Sequence, residues 1–524
     1  MRSIGYRGVP VRRARMPAHD AAPGWRGQAD TAGRWYLLAM DVQKFRALAE
    51  HAIDLAAEHL ARIEERPVFR PMTPEERRAL LDMPLPREGQ PAARALDLAG
   101  ERILSHPMGN GHPRFFGWVN SPPSPAGILA EILASASNPS VAGGDHAATY
   151  LERAVVRWMM ELVGFPVPGS MGLLTSGGSV ATIIALAAAR QRAAARDGWN
   201  VREEGLSGSR PRLMLYMTEE GHSCIRKAVE LLGLGSASIR TVAMDRKSRL
   251  DPDDLRRAVA ADRARGLRPF CVAASAGTVN SGAIDPLVVI ADVCKDERLW
   301  LHVDGAYGGV AAAAPSLAPL FAGMERADSL AMDPHKWLSV PAECGCVLVR
   351  DGAQLRETFS LVPPYLRTEE GKGFGGLPWF SEYGPQQTRG FRAMKLWMTL
   401  WTLGRDGVAD RVERHVALAK RLRRLVTESE DLELVAAGPL STVCFRYAPP
   451  AFRDEDADAM DLRNKTLMER IQSGGEAFVS GTAMGGRFAL RACVLHDETD
   501  EEDIDALVEI VRREGRIVFE EERA

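Results

Sequence analysis

Apolar residues in MDVQKFRALAEHAIDLAAEHLARIEERP, which begins at Met40, recur at intervals of three and four, the spacing of one face of an α-helix. The next stretch, TPEERRALLDMP, opens on Thr73 with Glu76 three positions later, a capping-box pattern that predicts a second helix. From about residue 120 to 405 helical runs alternate with short, continuously apolar segments: RLMLYM, FCVAAS, LWLHVD, SLAMD and CVLVR. Continuous apolar runs predict strands buried on both faces, as in a largely parallel sheet, and a polar residue ending such a strand sits where ligands bind. Asp304 and Asp333 both hold such ends. After Gly404 the pattern becomes helix, strand (LELVA, TVCFRY), helix, strand (RFALRACV), helix, which predicts a smaller α+β unit. Residues 1–39 mix Gly, Pro, Arg and Ala with neither period and read as a mobile extension. The expected organisation is α/β, with an extension over 1–39, a helical arm over 40–119, a large domain over 120–405 and a small domain over 406–524.

Bulk composition narrows the function classes. At 524 residues the chain exceeds the ~250–300 at which one hydrophobic core stops growing, so at least two domains are expected. The net charge of -3, from 66 basic and 69 acidic residues mixed along the chain, gives no support for nucleic acid binding. The longest apolar runs, such as ATIIALAAA, fall short of the roughly 20 residues that cross a bilayer, so no membrane partner is expected. The arginine-rich start lacks the apolar region of an export signal. Seven cysteines, an odd number with no CxxC pair and no zinc spacing, fit a reducing cytoplasm and no metal site.

Four segments carry chemistry. In LAMDPHKWLSV a strand-like run ends at Asp333 and leads to His335 and Lys336. A loop lysine taken alone is ordinarily solvated, but Trp337, Leu338 and Val340 place this one against apolar surface, where desolvation favours the neutral amine that Schiff-base chemistry needs. In LWLHVDGAYGG the strand ends at Asp304, and Gly305 and Ala306 then leave room for a flat ring. A buried carboxylate there suits a protonated pyridine nitrogen, the condition under which pyridoxal phosphate works as an electron sink. In GLLTSGGSVATIIALAAAR a Gly/Ser turn opens a helix, so Gly177, Gly178 and Ser179 are candidates for a phosphate. His222, in YMTEEGHSCIRKAVELLG, follows a strand and could stack on the ring, although a helix-capping histidine reads equally well.

Together, NSPPSPAGIL, TSGGSVAT, EEGHSCIRKA, AGTVNSGAIDPL, WLHVDGAYGG and DPHKWL resemble the group II pyridoxal-phosphate-dependent decarboxylases, of the aromatic-L-amino-acid decarboxylase type, over about residues 40–510. The resemblance implies a fold-type-I enzyme: a large domain around a mixed seven-stranded sheet, a small C-terminal domain, and an N-terminal arm exchanged within a homodimer whose active site lies at the subunit interface. By position, Lys336 is similar to the family's Schiff-base lysine, Asp304 to the pyridine-nitrogen partner, His222 to the ring-stacking histidine and Ala306 to the small residue under the ring. Gly178 and Ser179 match the phosphate loop, His335 the histidine before the lysine, and Thr278 of AGTVNSGAIDPL joins the cofactor-binding set. Tyr365 lies 29 positions after Lys336, as does the family's mobile-loop tyrosine, which is thought to protonate Cα.

Some positions depart from the family pattern. Asp333 stands where the animal enzymes have asparagine beside the phosphate, and Glu498 falls near where many relatives carry arginine. HPRFFGWVNSPPSP resembles the segment lining the substrate side-chain pocket, with Phe115, Trp118, Val119 and Asn120 as its candidate residues. These aromatics, with no obvious pocket arginine, favour decarboxylation of an aromatic L-amino acid to its amine. The alternatives are an aldehyde synthase, whose known relatives lack the histidine or tyrosine retained here, and a decarboxylase of an acidic amino acid such as glutamate. A non-catalytic protein on the same fold is disfavoured by intact Lys336, Asp304 and His222.

Overall fold

The computed structural model describes residues 41–208, 210–362, 374–453 and 456–521. The expected extension over 1–39 and Tyr365 lie outside the described residues. The chain opens with three helices, α1 (Val42–Ala61), α2 (Pro74–Leu81) and α3 (Ala92–Arg102), none of which has a buried residue. The capping box at the start of α2 forms as its sequence predicts: the Thr73 hydroxyl accepts from the Glu76 amide at 3.2 Å, and Glu76 accepts from the Thr73 amide at 2.8 Å. Helices α4 (Pro125–Ser137), α5 (Ala147–Val163) and α6 (Gly178–Arg196) follow.

Seven strands form the central sheet: β1 (Met171–Thr175), β2 (Leu213–Met217), β3 (Ile239–Thr241), β4 (Arg268–Ser275), β5 (Trp300–Asp304), β6 (Ser329–Met332) and β7 (Gly345–Val349). Their spatial order is β1-β7-β6-β5-β4-β2-β3, and β7 alone runs antiparallel to its neighbours, so the sheet is mixed as the family resemblance implies. The apolar runs are continuous because both faces are covered. Leu301 and Val303 of β5 join one core cluster, while Trp300 joins a second with Ala181, Ile184 and Ala185 of α6. His302 and Asp304 share the face of Trp300, because side chains alternate along a strand.

Four further strands, β8 (Leu432–Ala437), β9 (Thr442–Tyr447), β10 (Ser480–Met484) and β11 (Arg487–Cys493), make an antiparallel sheet in the order β10-β11-β9-β8 over its own core cluster. A long helical segment, Arg392–Thr427, leads into it and is broken at Gly404, whose φ of 70° and ψ of 172° are not helical. Among the described residues no helix is long and apolar enough to cross a membrane.

Candidate active site

Five parallel strand ends meet at one edge of the large sheet. β1 leads through Gly177 into α6, β2 to His222, β4 to the loop bearing Thr278, β5 to Asp304 and β6 to Asp333 and Lys336. Adjacent parallel strands end in register here, with Ser275 opposite Asp304 and Asp304 opposite Ala331, so residues far apart in sequence become neighbours. This is the edge at which open α/β sheets bind ligands.

Lys336 and Asp333 are paired directly, Nζ to Oδ2 at 3.0 Å. The loop holding them is fixed by its own backbone, the Lys336 amide donating to the Asp333 carbonyl at 2.9 Å. The Ser121 hydroxyl also ties it down, donating to the Lys336 carbonyl at 2.6 Å. His335 Nδ1 lies 2.7 Å from the Cys344 carbonyl, a distance that suits donation to that oxygen. Gly178 abuts this group: a Cβ built on it would lie 3.0 Å from Asp333 Oδ2 and 3.3 Å from the Ala306 Cβ. Gly177, at φ 130°, is the cap of α6 and offers no side chain to its free amides. Ser179 is the second residue of the helix and exposed.

Asp304 is buried, and its Oδ1 accepts from the Ala306 amide at 3.1 Å. One atom each of His222, Cys224 and Asp304 lies within 4.8 Å of the others. His222 Nδ1 accepts from the Cys224 amide at 3.2 Å, capping the helix Ser223–Leu231. His222 thus caps this helix while lying close to Asp304. Partial burial lowers the His222 pKa, Asp304 opposes this and Lys336 adds to it. Burial, reinforced by Asp304, pushes the Cys224 thiol up to about 12, so it is a neutral thiol.

Thr278 is buried beside the β4 end, with its hydroxyl 3.0 Å from Ser281 Oγ and accepting from the Ala283 amide at 3.1 Å. The four candidate pocket residues take different places. Phe115 is buried and stacks on Phe478 at 4.9 Å, Val119 is in the main core cluster, and Asn120 is half-buried. Trp118 is 49% exposed, at φ 47°, with its indole 5.2 Å from Phe478.

Arg491 was not singled out in the sequence, where no pocket arginine was evident. It is 2% exposed, donates from Nε to the Val279 carbonyl at 2.7 Å and from Nη1 to the Trp118 carbonyl at 2.8 Å, and its buried Nη2 has no partner among the described residues. The signal in the sequence is the second arginine of RFALRACV, flanked on both sides by apolar residues, which burial permits only where partners await it.

The donor set fits pyridoxal phosphate. An amine on Lys336, a buried carboxylate on Asp304, a small residue at Ala306 and the uncapped start of α6 converge, and the cradle beside Gly178 is one that a Cβ would crowd. Residues 74–448 match the family model described as the pyridoxal-dependent decarboxylase conserved domain. An aromatic-L-amino-acid decarboxylase of Bacillus atrophaeus is 30% identical over 89% of this chain and 94% of that protein. An acidic amino acid decarboxylase of Homo sapiens is 31% identical over 84% of this chain and 85% of that protein. The crystal structure of Oryza sativa TDC with PLP and tryptamine has a TM-score of 0.85 at 29% identity, covering 91% of this chain and 98% of that one.

Proposed function

The chain belongs to the pyridoxal-dependent decarboxylase family and is a pyridoxal-phosphate-dependent carboxy-lyase, and from that premise we propose that its substrate is an aromatic L-amino acid, released as the amine and carbon dioxide. The observation that carries the aromatic reading is Trp118, an exposed indole on a loop that Ser121 ties to the Lys336 carbonyl. The Bacillus relative's name supports the same class.

Bound pyridoxal phosphate supplies an electron-withdrawing ring that accepts the electron pair of the breaking Cα–carboxylate bond. In this reading Lys336 Nζ is the amine that would hold the cofactor. The Asp304 carboxylate would hold the proton on the ring nitrogen, His222 would lie against the ring and the small side chain of Ala306 would leave room for it. Amides at Gly178 and Ser179, with Gly177 before them, bind the phosphate; His335 and Thr278 shape its surroundings. Tyr365 returns a proton to Cα, a role supported by its spacing from Lys336. Phe115, Val119 and Asn120 shape the loop that presents Trp118.

The second reading, an acidic substrate, is favoured by Arg491, whose unpartnered Nη2 suits a carboxylate. We assign the working form as a homodimer, supported by α1, where Val42, Phe45 and Ile53 are 68%, 57% and 49% exposed on an arm with no buried residue. The division near residue 405 is supported by the break at Gly404. A reducing cytoplasm is supported by seven buried, unbridged cysteines. Incubating the cofactor-loaded protein with a panel of amino acids and identifying products by mass tests the substrate: amines from tryptophan, tyrosine or phenylalanine are expected. Products from glutamate or aspartate alone would refute the aromatic assignment.

A further inference from the structure

Asp333 places a second carboxylate against the phosphate cradle, and its two oxygens are not equivalent. Oδ2 meets Lys336 Nζ at 3.0 Å. Oδ1 is buried and accepts no hydrogen bond among the described residues, in a side chain only 5% exposed. A Cβ built on Gly177 would lie 4.0 Å from Oδ1 and one on Gly178 3.0 Å from Oδ2, so the carboxylate faces the opening residues of α6. That helix start attracts an anion, whereas Asp333 repels one. A buried acceptor without a donor calls for a donor in the ligand.

We propose that Asp333 makes the cradle a site for a singly charged phosphate ester, held as hydrogen phosphate with its remaining O–H donating to Asp333 Oδ1. The inference rests on the cofactor reading above and concerns only the charge in which that cofactor is taken. At neutral pH a free phosphate monoester, with a second pKa of about 6, is largely a dianion, so binding takes one proton from solvent. No covalent bond of the ester breaks and no electron moves.

The groups facing Asp333 leave this proton as the remaining source of relief. On its own loop, Lys336 is the cation in contact, and its nitrogen becomes committed to the cofactor. His335 Nδ1 is 3.9 Å from Oδ1 but is engaged with the Cys344 carbonyl at 2.7 Å. Across the cleft, His222 and Cys224 feel the Asp333 charge alongside that of Asp304, and Cys344 and Cys346 feel it from the β7 side. None of the cysteines donates to Oδ1.

The sign follows directly. A phosphate whose second pKa is raised on binding is held most tightly below its free pKa, and affinity is lost as pH climbs through the bound pKa. The test uses pyridoxamine 5′-phosphate, which has no aldehyde to bond Lys336, titrated calorimetrically into the cofactor-stripped chain at pH 6 and pH 8.5, together with phosphorus NMR of the holoenzyme. Wild-type affinity is expected to fall at least tenfold between the two pH values. Asp333→Asn is expected to bind at least tenfold tighter than wild type at pH 8.5, with most of the pH slope gone, and Asp333→Ser to follow it. The wild-type phosphorus resonance should titrate above the free-ester pKa, and that of Asp333→Asn should stay at the dianion position. A wild-type resonance fixed at the dianion position, or weaker binding by Asp333→Asn at both pH values, would overturn the proposal while leaving the cofactor reading intact. No uptake by any form at either pH would overturn both.

Discussion

Trp337 Nε1 donates to His415 Nδ1 across 3.0 Å in the fully buried core, and this bond joins the residue after Lys336 to the helical segment that leads into the smaller sheet. The Trp337 ring also stacks on Tyr307 at 5.2 Å, three residues beyond Asp304, and the Tyr307 hydroxyl accepts from the Ser441 amide at 3.0 Å. The loops bearing Lys336 and Asp304 are thus braced together from outside the large sheet. His415→Leu should leave a buried N–H unpaired, costing about 1–3 kcal/mol, and should lower the melting temperature and weaken cofactor retention. His415→Gln, which can still accept, should recover most of both. Equal behaviour of the two variants would show that the hydrogen bond has no such role.

The pH dependence of stability has a component traceable to one residue. His302 is fully buried two positions before Asp304, and burial depresses its pKa to about 4 from an ordinary 6.5. Below pH 6.5 the unfolded chain takes a proton that the folded chain refuses, so stability falls as pH drops towards 4, by about 3 kcal/mol from this group. Asp285, raised to about 6 by burial, works in the opposite direction, so the comparison must be between wild type and His302→Gln, in which Asp285 cancels. The wild-type advantage measured by denaturation at pH 7 should shrink steadily to pH 4. An advantage that stays constant over that range contradicts the assignment.

Asp304→Asn tests the electron sink. The amide keeps the shape but cannot stabilise a protonated ring nitrogen, so the cofactor should remain bound while the rate falls by several powers of ten. A loss of less than tenfold in a steady-state assay would show that the ring nitrogen's proton is held by another group.

Tyr365→Phe removes the phenol assigned to Cα protonation. Cofactor and substrate should bind as before and carbon dioxide should be released, but product should shift from amine towards aldehyde as the unprotonated carbon meets oxygen. Product analysis by mass with peroxide detection reads this. An unchanged amine yield and rate would show that another acid delivers the proton.

What the sequence made legible follows from physics. LWLHVD and SLAMD were readable because strands buried on both faces are continuously apolar, so a terminal Asp stands out. Thr73 and Glu76 were readable because a capping box is local. The three-residue β3 and the small-residue β10 (SGTAM) carry too little pattern to announce themselves. Phe115 and Trp118 look alike in an aromatic segment, and both pack on Phe478, yet one ring is 3% exposed and the other 49%, a difference set by tertiary packing that local pattern does not carry. The partners of Arg491 come from loops around residues 118 and 279, and such distant pairings leave no local trace.

The central claim is that Lys336 carries pyridoxal phosphate. Reducing the holoenzyme with borohydride and mapping the modified peptide by mass spectrometry tests it most directly. The account predicts one cofactor fixed per chain, on the peptide containing Lys336, and none fixed there in Lys336→Ala. Attachment at a different lysine, or undiminished trapping in Lys336→Ala, would contradict it.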